Sequence, residues 1–490
     1  MKQFLPPELC FFVAKAVKTF GCIAQTTETL DEFRYRMLHS VAVTWRGGEN
    51  DIAFARFRWS LRLAVSFMAF TLMSHSALSQ VVDRNEQGLY ELKSPRLTLV
   101  TDIPIDDELK SWPGLVEQSL KQWQLYFDVS EERLAGLKVH ATLIGDRPGL
   151  TKLGMLDGVP GFDEGYQHGN RIYVREQPTI YFRRHLFLHE LTHWIVWELY
   201  GGGGSPWFME GMAEMQATHL MSGGKLMLCM IPASKEQVSG WGRLRIVRET
   251  LERGEAPTLT QILAYGDERE DHVIRYSWSW AACVFFTNHP KYGPMLRNLY
   301  RQKLDYSLAL SRNFRELLAS DWENVQVDWN AFVSDLDFGY DIARSTVNRS
   351  SGVTAKALRP GESIRLELAS DRGWQATGIL LEEDTSAQIK CSGNFQMMRP
   401  VQGEPTTWNV EPNGITFQFY RGNPLGSVMA SVVSSHEPEQ TKRWETQRVG
   451  LEITLTPVKK GELYLKINEP SKGLSDNEGR ISVEISVTKP

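Results

Sequence analysis

From Tyr90 onward the spacing of apolar positions changes several times along the chain, and each change marks an element. LTLVT (97–101) predicts a strand, GLVEQSLKQWQLYFD (114–128) an amphipathic helix, and LKVHATLIG (137–145) a second strand. Residues 146–168, rich in Gly and Asp, read as a loop before a third strand, NRIYVRE (170–176). A long apolar helical stretch follows, HLFLHELTHWIVWELY (185–200), broken by GGGGSP (201–206) and resumed by WFMEGMAEMQATHL (207–220). Beyond it, residues 240–254, 258–266, 272–289, 292–304, 312–319 and 327–337 keep helical spacing. After a linker at 346–356 the pattern shortens to alternating runs, SIRLELA, GILLEE, AQIKCSG, GITFQFY, LEITLTPV, GELYLKINEP and RISVEISV. These runs predict a β-sandwich over 357–490 behind an α+β domain over 90–345.

The N-terminal part has its own pattern. Arg56, Arg58 and Arg62 precede an apolar run from Leu63 to Met73 and the small-residue site Ala77-Leu78-Ser79, so residues 57–79 read as a secretory signal peptide. A run of eleven residues is short for a bilayer, which favours cleavage near Gln80; left uncleaved, 61–79 would be a membrane anchor, the one route to membrane contact. Residues 1–56 are then an N-terminal extension, with Met37 a candidate for the true start. The expected location is extracytoplasmic, in a bacterial periplasm or at the cell surface.

Composition narrows the function. With 42% hydrophobic and 11% aromatic residues the chain has enough apolar material for real cores. Net charge −5 and pI near 6.2 leave no basic excess for a phosphate backbone, so nucleic acid is not an expected partner. Five cysteines, Cys10, Cys22, Cys229, Cys283 and Cys391, form no CxxC pair, so a metal must be held by His and acidic groups.

Those groups lie in 185–214. His189 and His193 are four apart and project from one helix face, close enough to share an ion, with Glu190 between them placed as a general base. A buried amphipathic helix whose histidines bond to carbonyls would give the same spacing. What separates the two readings is the later pair, Glu210 and Glu214, one turn apart on the resumed helix. Glu210 is placed to complete a three-ligand site with a vertex left for water, and Glu214 to accept from a ligand histidine's outer N–H. His185, one turn before His189, reads as a supporting or packing residue rather than a ligand.

HELTH followed by WFMEGMAE resembles the gluzincin metallopeptidases, the group containing thermolysin and aminopeptidase N. The resemblance implies a gluzincin-like domain with a small mixed sheet and an α-rich half. It implies zinc on His189, His193 and Glu210, Glu190 as the base, and a peptide or protein substrate. It further implies an edge strand pairing with an extended substrate, assigned here to 170–176 through Asn170, Ile172 and Val174. A phenol or imidazole from the helical half would steady the oxyanion, for which Tyr276 is the candidate and His272 the second. LGMLDG (153–158) is not the G-x-M-E-N motif of the aminopeptidases, so an N-terminal exopeptidase is not implied.

GWQATGILLEEDTSAQIKCSG and GELYLKINEPSKGLSDNEGRISVEI resemble the calcium-dependent galactose-binding lectins of bacteria. The resemblance implies calcium on Asn468, Glu469, Asp476 and Asn477 and a carbohydrate partner, although Gly473 stands where a side-chain ligand is expected. The competing account is a surface or glycan-binding protein whose metal module is catalytically idle.

Overall fold

The computed structural model describes residues 80–488 apart from 83, 85, 267–271, 350–354, 384, 402–403 and 435–438. The expected extension, signal segment and Met37 lie outside the described residues. Among the described residues no helix is long and apolar enough to cross a membrane.

The first sheet is mixed. Its strands are β1 (Gln80–Val82), β2 (Tyr90–Lys93), β3 (Leu97–Thr101), β4 (Val139–Ile144), β5 (Gly165–His168) and β6 (Arg171–Arg175), in the spatial order β1-β2-β3-β4-β6-β5. β3, β4 and β6 run parallel, while β5 is antiparallel to β6. The substrate edge expected at 170–176 is therefore corrected. β6 lies between β4 and β5, Ile172 and Val174 are 0% and 1% exposed, and the Asn170 carbonyl is taken by His140 N at 2.9 Å. The reason is a reversal at Gly169 (φ 56), which folds the preceding Gly-rich stretch back onto β6 and leaves β5 as the free edge.

One face of this sheet packs on helices α1 (Asp107–Phe127) and α2 (Ile180–Tyr200), where Trp112 and Phe187 stack with centroids 3.9 Å apart. α1 starts earlier than the spacing predicts because Asp106 caps it by accepting Leu109 N at 2.8 Å, and Pro113 is carried inside the helix. Thr179 caps α2 in the same way, and α2 ends at Gly201, whose N–H bonds to Trp197 O.

The helical half contains α3 (Pro206–Ala217), α4 (Arg243–Glu252), α5 (His272–Asn288), α6 (Tyr292–Tyr300), α7 (Ala309–Leu317) and α8 (Trp322–Asp335). α3 and α5 pack closely enough that a Cβ on Gly211 would stand 2.3 Å from Ser279 O and 2.7 Å from Cys283 Sγ. This contact accounts for the glycine between Glu210 and Glu214, since any side chain there would push α3, and the carboxylates on it, away from α5. Cys229, Cys283 and Cys391 are all free thiols.

The C-terminal half is built of two sheets around one core that includes Leu368, Ile389, Val428, Leu465 and Ile485. One sheet runs Glu404–Val410, Phe395–Val401, Glu478–Thr488, Ser386–Ser392, Glu452–Leu455, with Ser363–Ala369 also pairing on Glu478–Thr488. The other runs Gln447–Arg448, Val428–Val433, Gly461–Ile467, Gln375–Leu381, Lys356–Ala357.

The two halves are fused along α8. Val327 and Ala331 pack with Val347, Trp374, Met429, Trp444 and Tyr464 in one buried cluster. Around it, Trp329 Nε1 donates to Thr441 Oγ1 (3.0 Å), Trp444 N to Ser334 Oγ (2.8 Å), and Lys466 Nζ to Asp335 Oδ2 (2.6 Å). A seam of apolar packing threaded by buried polar pairs resembles the interior of a domain more than a tether between two.

Candidate metal centre

α2 carries His185, His189, Glu190 and His193; α3, turned back by the 201–205 loop, carries Glu210 and Glu214. The return is fixed by Ser205, whose hydroxyl donates to Ser307 O (3.0 Å) and accepts from Ser311 N (3.1 Å). Gly204 N adds a bond to Asp305 O (2.8 Å).

The structure brings His189, His193 and Glu210 together. His189 Nε2 is 3.1 Å from His193 Nε2 and 3.2 Å from Glu210 Oε2, and His193 Nε2 is 3.6 Å from Glu210 Oε2. Donors on one tetrahedral zinc, each about 2.0–2.1 Å from the metal, stand about 3.3 Å apart, so the three spacings match that geometry. Two imidazole nitrogens and a carboxylate oxygen crowded this closely repel one another unless a cation or a proton lies between them, which makes the donor set a good fit to a metal ion. The side chains of His193 and Glu210 are 14% and 16% exposed against 6% for His189, so the cluster opens to solvent on one side.

Behind this group stands a second, His185, His189 and Glu214, all buried and also close enough to hold an ion. Its vertices are taken by protein. His185 lies 3.2 Å from Glu214 Oε2 through Nε2 and 3.0 Å from Ala217 O through Nδ1, while Arg243 Nη2 donates to Glu214 Oε1 at 2.8 Å. Glu214 Oε1 is also 3.5 Å from His189 Nδ1, the placement of a supporting carboxylate.

Glu190 is buried against the sheet. Burial raises its carboxyl above the usual range, and His193 and His189 pull it down only in part. A base with a raised pKa is matched to taking up a proton near neutral pH. Burial also lifts Glu214, but Arg243 and His185 outweigh it and hold the group well below the carboxylate range. For His189, burial lowers the imidazole, yet Glu210 and Glu214 bring it up to about 10.

Tyr276, on the first turns of α5, has its ring 6.2 Å from that of His189 and 5.5 Å from the Arg243 guanidinium. The Glu210 charge, then burial, raises its phenol, which therefore keeps its proton and can donate. His272 is exposed, 6.0 Å from Tyr276 ring to ring.

Two residues at this site were not singled out by pattern. Gly165, on the free edge β5, is one: a Cβ there would fall 2.2 Å from Glu190 Oε1. The other is Arg243, the first residue of α4, where the helix dipole disfavours a cation; that misplacement was the available signal.

The expected calcium residues are not arranged as an oxygen cage. The Arg399 guanidinium contacts Glu469 and lies 3.8 Å from Asp476 Oδ2, so a fixed cation stands where a calcium ion would. Asn468 turns its Nδ2, not its oxygen, to Tyr420 O (2.9 Å), Asn423 O and Pro424 O. Asn477 Nδ2 donates to Glu469 Oε2 (2.6 Å), and Asp476 Oδ1 accepts Met398 N (3.1 Å). At Gly473 a Cβ would strike Glu469 Oε1 at 2.2 Å, which explains the missing side chain.

No protein-family model and no curated protein matches this chain. Among solved structures it is similar to "EclA N-terminal domain; PllA-like lectin" at 17% identity over 25% of this chain and 94% of the other, TM-score 0.19. It is similar to PliG of Aeromonas hydrophila, a periplasmic inhibitor of g-type lysozyme, at 7% identity over 30% and 98%, TM-score 0.16. A further likeness, at 11% identity and TM-score 0.14, is to IMPa from Pseudomonas aeruginosa in complex with an O-glycopeptide, covering 58% of this chain and 27% of that one. Likenesses this slight carry no functional argument, so function has to be argued from the site.

Proposed function

We propose that the chain is an exported zinc-dependent hydrolase, a peptidase of the gluzincin type, with His189, His193 and Glu210 holding the ion. The single observation that carries this reading is the 3.1–3.6 Å spacing of their three donor atoms beside a buried Glu190. A zinc ion held there would act as a Lewis acid toward the scissile carbonyl and bring a water's pKa to about 7.

The chain's own groups supply the rest. Glu190 takes the proton from the attacking water and returns it to the leaving amine. β5 presents a free main-chain edge beside Glu190, so an extended peptide pairs with it and is delivered at the height of the base. The Tyr276 phenol, kept protonated, donates to the oxygen on which negative charge develops. Export rests on the basic, apolar and small-residue succession of 56–79.

A second reading, a surface-binding protein with an idle metal module, is favoured by one feature. Phe417 and Phe419 are 68% and 64% exposed on the C-terminal half, and Phe417 lies 5.6 Å from the Trp408 ring. Aromatic faces of this kind suit the C–H face of a sugar ring or an apolar partner surface.

Casein turnover with and without chelator, run on wild type and Glu190→Gln, separates the two. Chelator-sensitive cleavage that Glu190→Gln abolishes while keeping its zinc supports the hydrolase. Bound zinc without turnover of any peptide library supports the binding protein.

A further inference from the structure

The buried side of the metal centre holds a charged side chain for which the mechanism has no use. Arg243 belongs to α4, not to the metal helices, and its side chain is 14% exposed. Through Nη2 it fixes Glu214 Oε1 at 2.8 Å, and the same guanidinium lies 5.5 Å over the Tyr276 ring. Glu214 is a shared acceptor: Oε2 is 3.2 Å from His185 Nε2, and Oε1 is 3.5 Å from His189 Nδ1. Beyond that oxygen, His189 Nδ1 has no hydrogen-bond partner in the buried site.

We infer that Arg243 is a positioning residue of the metal centre: it pins the Glu214 carboxylate so that His189 keeps Nδ1 as its donor and turns Nε2 toward His193 and Glu210. The inference rests on the zinc reading above and adds to it a residue from a third helix. With Arg243 removed, Glu214 retains only the bond to His185, and nothing aims Oε1 at His189. The ring is then free to rotate, and either nitrogen can carry the proton, so only part of the population presents a lone pair to the metal. Lysine is an incomplete substitute. Its ammonium can reach Glu214 as a point charge but lacks the planar fork that bonds the carboxylate while lying over the Tyr276 face.

The test uses the full chain as wild type, Arg243→Met, Arg243→Lys and Glu214→Gln, with two readouts that do not depend on turnover. These are the zinc dissociation constant by chelator competition and the visible absorption of the cobalt(II)-substituted protein. Arg243→Met is expected to bind zinc about 10–100-fold more weakly, with an altered cobalt spectrum, and Glu214→Gln to match it. Arg243→Lys should fall between Met and wild type. Wild-type zinc affinity and an unchanged cobalt spectrum in a folded Arg243→Met overturn the inference. If Arg243→Met does not fold, Arg243→Lys decides: weaker zinc with a shifted spectrum supports the role, and unchanged values overturn it. A wild type that takes up no zinc sinks the metal reading itself, whereas zinc uptake indifferent to Arg243 sinks only the role of Arg243.

Discussion

Gly165 and Glu190 share one space: a Cβ on Gly165 would lie 2.2 Å from Glu190 Oε1 and 2.8 Å from its Cδ. The absence of a side chain on the edge strand is what allows the base to lie against it. Gly165→Ala should therefore move the carboxylate without touching a ligand. Displacements of about 1 Å at a reacting group cost roughly 100-fold in rate. The expected outcome is a kcat reduced about 100-fold with zinc affinity unchanged, read by steady-state kinetics and chelator competition. A Gly165→Ala protein of wild-type kcat contradicts this placement of the base.

Zinc binding should depend on pH through His189. In the metal-free chain its imidazole stands at about 10, against an ordinary 6.5. A raised value means that the protonated ring contributes stability that is fully present below about 6.5 and is lost as pH rises through about 10. A metal needs the neutral ring, so binding displaces that proton. Apparent zinc affinity then falls about tenfold for each unit of pH lost below that value. Chelator competition between about pH 6 and 8 should give a log-affinity slope of about +1 or steeper, since His189 alone gives up one proton. A flat line contradicts the assignment of His189 as both ligand and proton carrier.

Gly211 tests the packing that delivers Glu210. With backbone Ser279 O only 2.3 Å from the position of a Cβ, Gly211→Ala forces α3 and α5 apart. Overpacking of this kind costs about 1–3 kcal/mol. Urea unfolding should show that loss, and zinc affinity should drop with it because Glu210 moves. Unchanged stability would mean that the helices are not so closely set.

The seam between the halves depends on Asp335, which accepts from Lys466 Nζ at 2.6 Å and Arg421 Nη1 at 2.8 Å, with Lys466 8% exposed. Asp335→Ala leaves a buried ammonium unpaired, a change that costs about 3–5 kcal/mol. Thermal unfolding and limited proteolysis should report the loss, as a lower melting temperature and faster cleavage than wild type. An unaltered melting temperature contradicts a fused seam.

How much of this was legible in the sequence follows from which contacts are local. His189, Glu190 and His193 are placed by helical repeat alone, and Glu214 sits one turn past Glu210 for the same reason, so these positions could be read directly. The alternating runs after 357 likewise announced the β half. The edge strand could not be read, because GYQH (165–168) has few strand formers and lies in a Gly-rich stretch that reads as loop; only its pairing with Arg171–Arg175 makes it a strand. Arg399 sits 70 residues before Glu469 in the chain, and no spacing rule predicts that its guanidinium would take the place expected for calcium. At the start of the 346–356 stretch, Val347 packs with Trp374, Trp444 and Tyr464, contacts that local pattern does not reveal.

The central claim is that His189, His193 and Glu210 share one ion, and anomalous diffraction at the zinc absorption edge tests it most directly. The account predicts a single strong peak about 2.0–2.2 Å from His189 Nε2, His193 Nε2 and a Glu210 oxygen. A crystal grown with zinc that shows no peak there, or shows it against His185 and Glu214 instead, contradicts it.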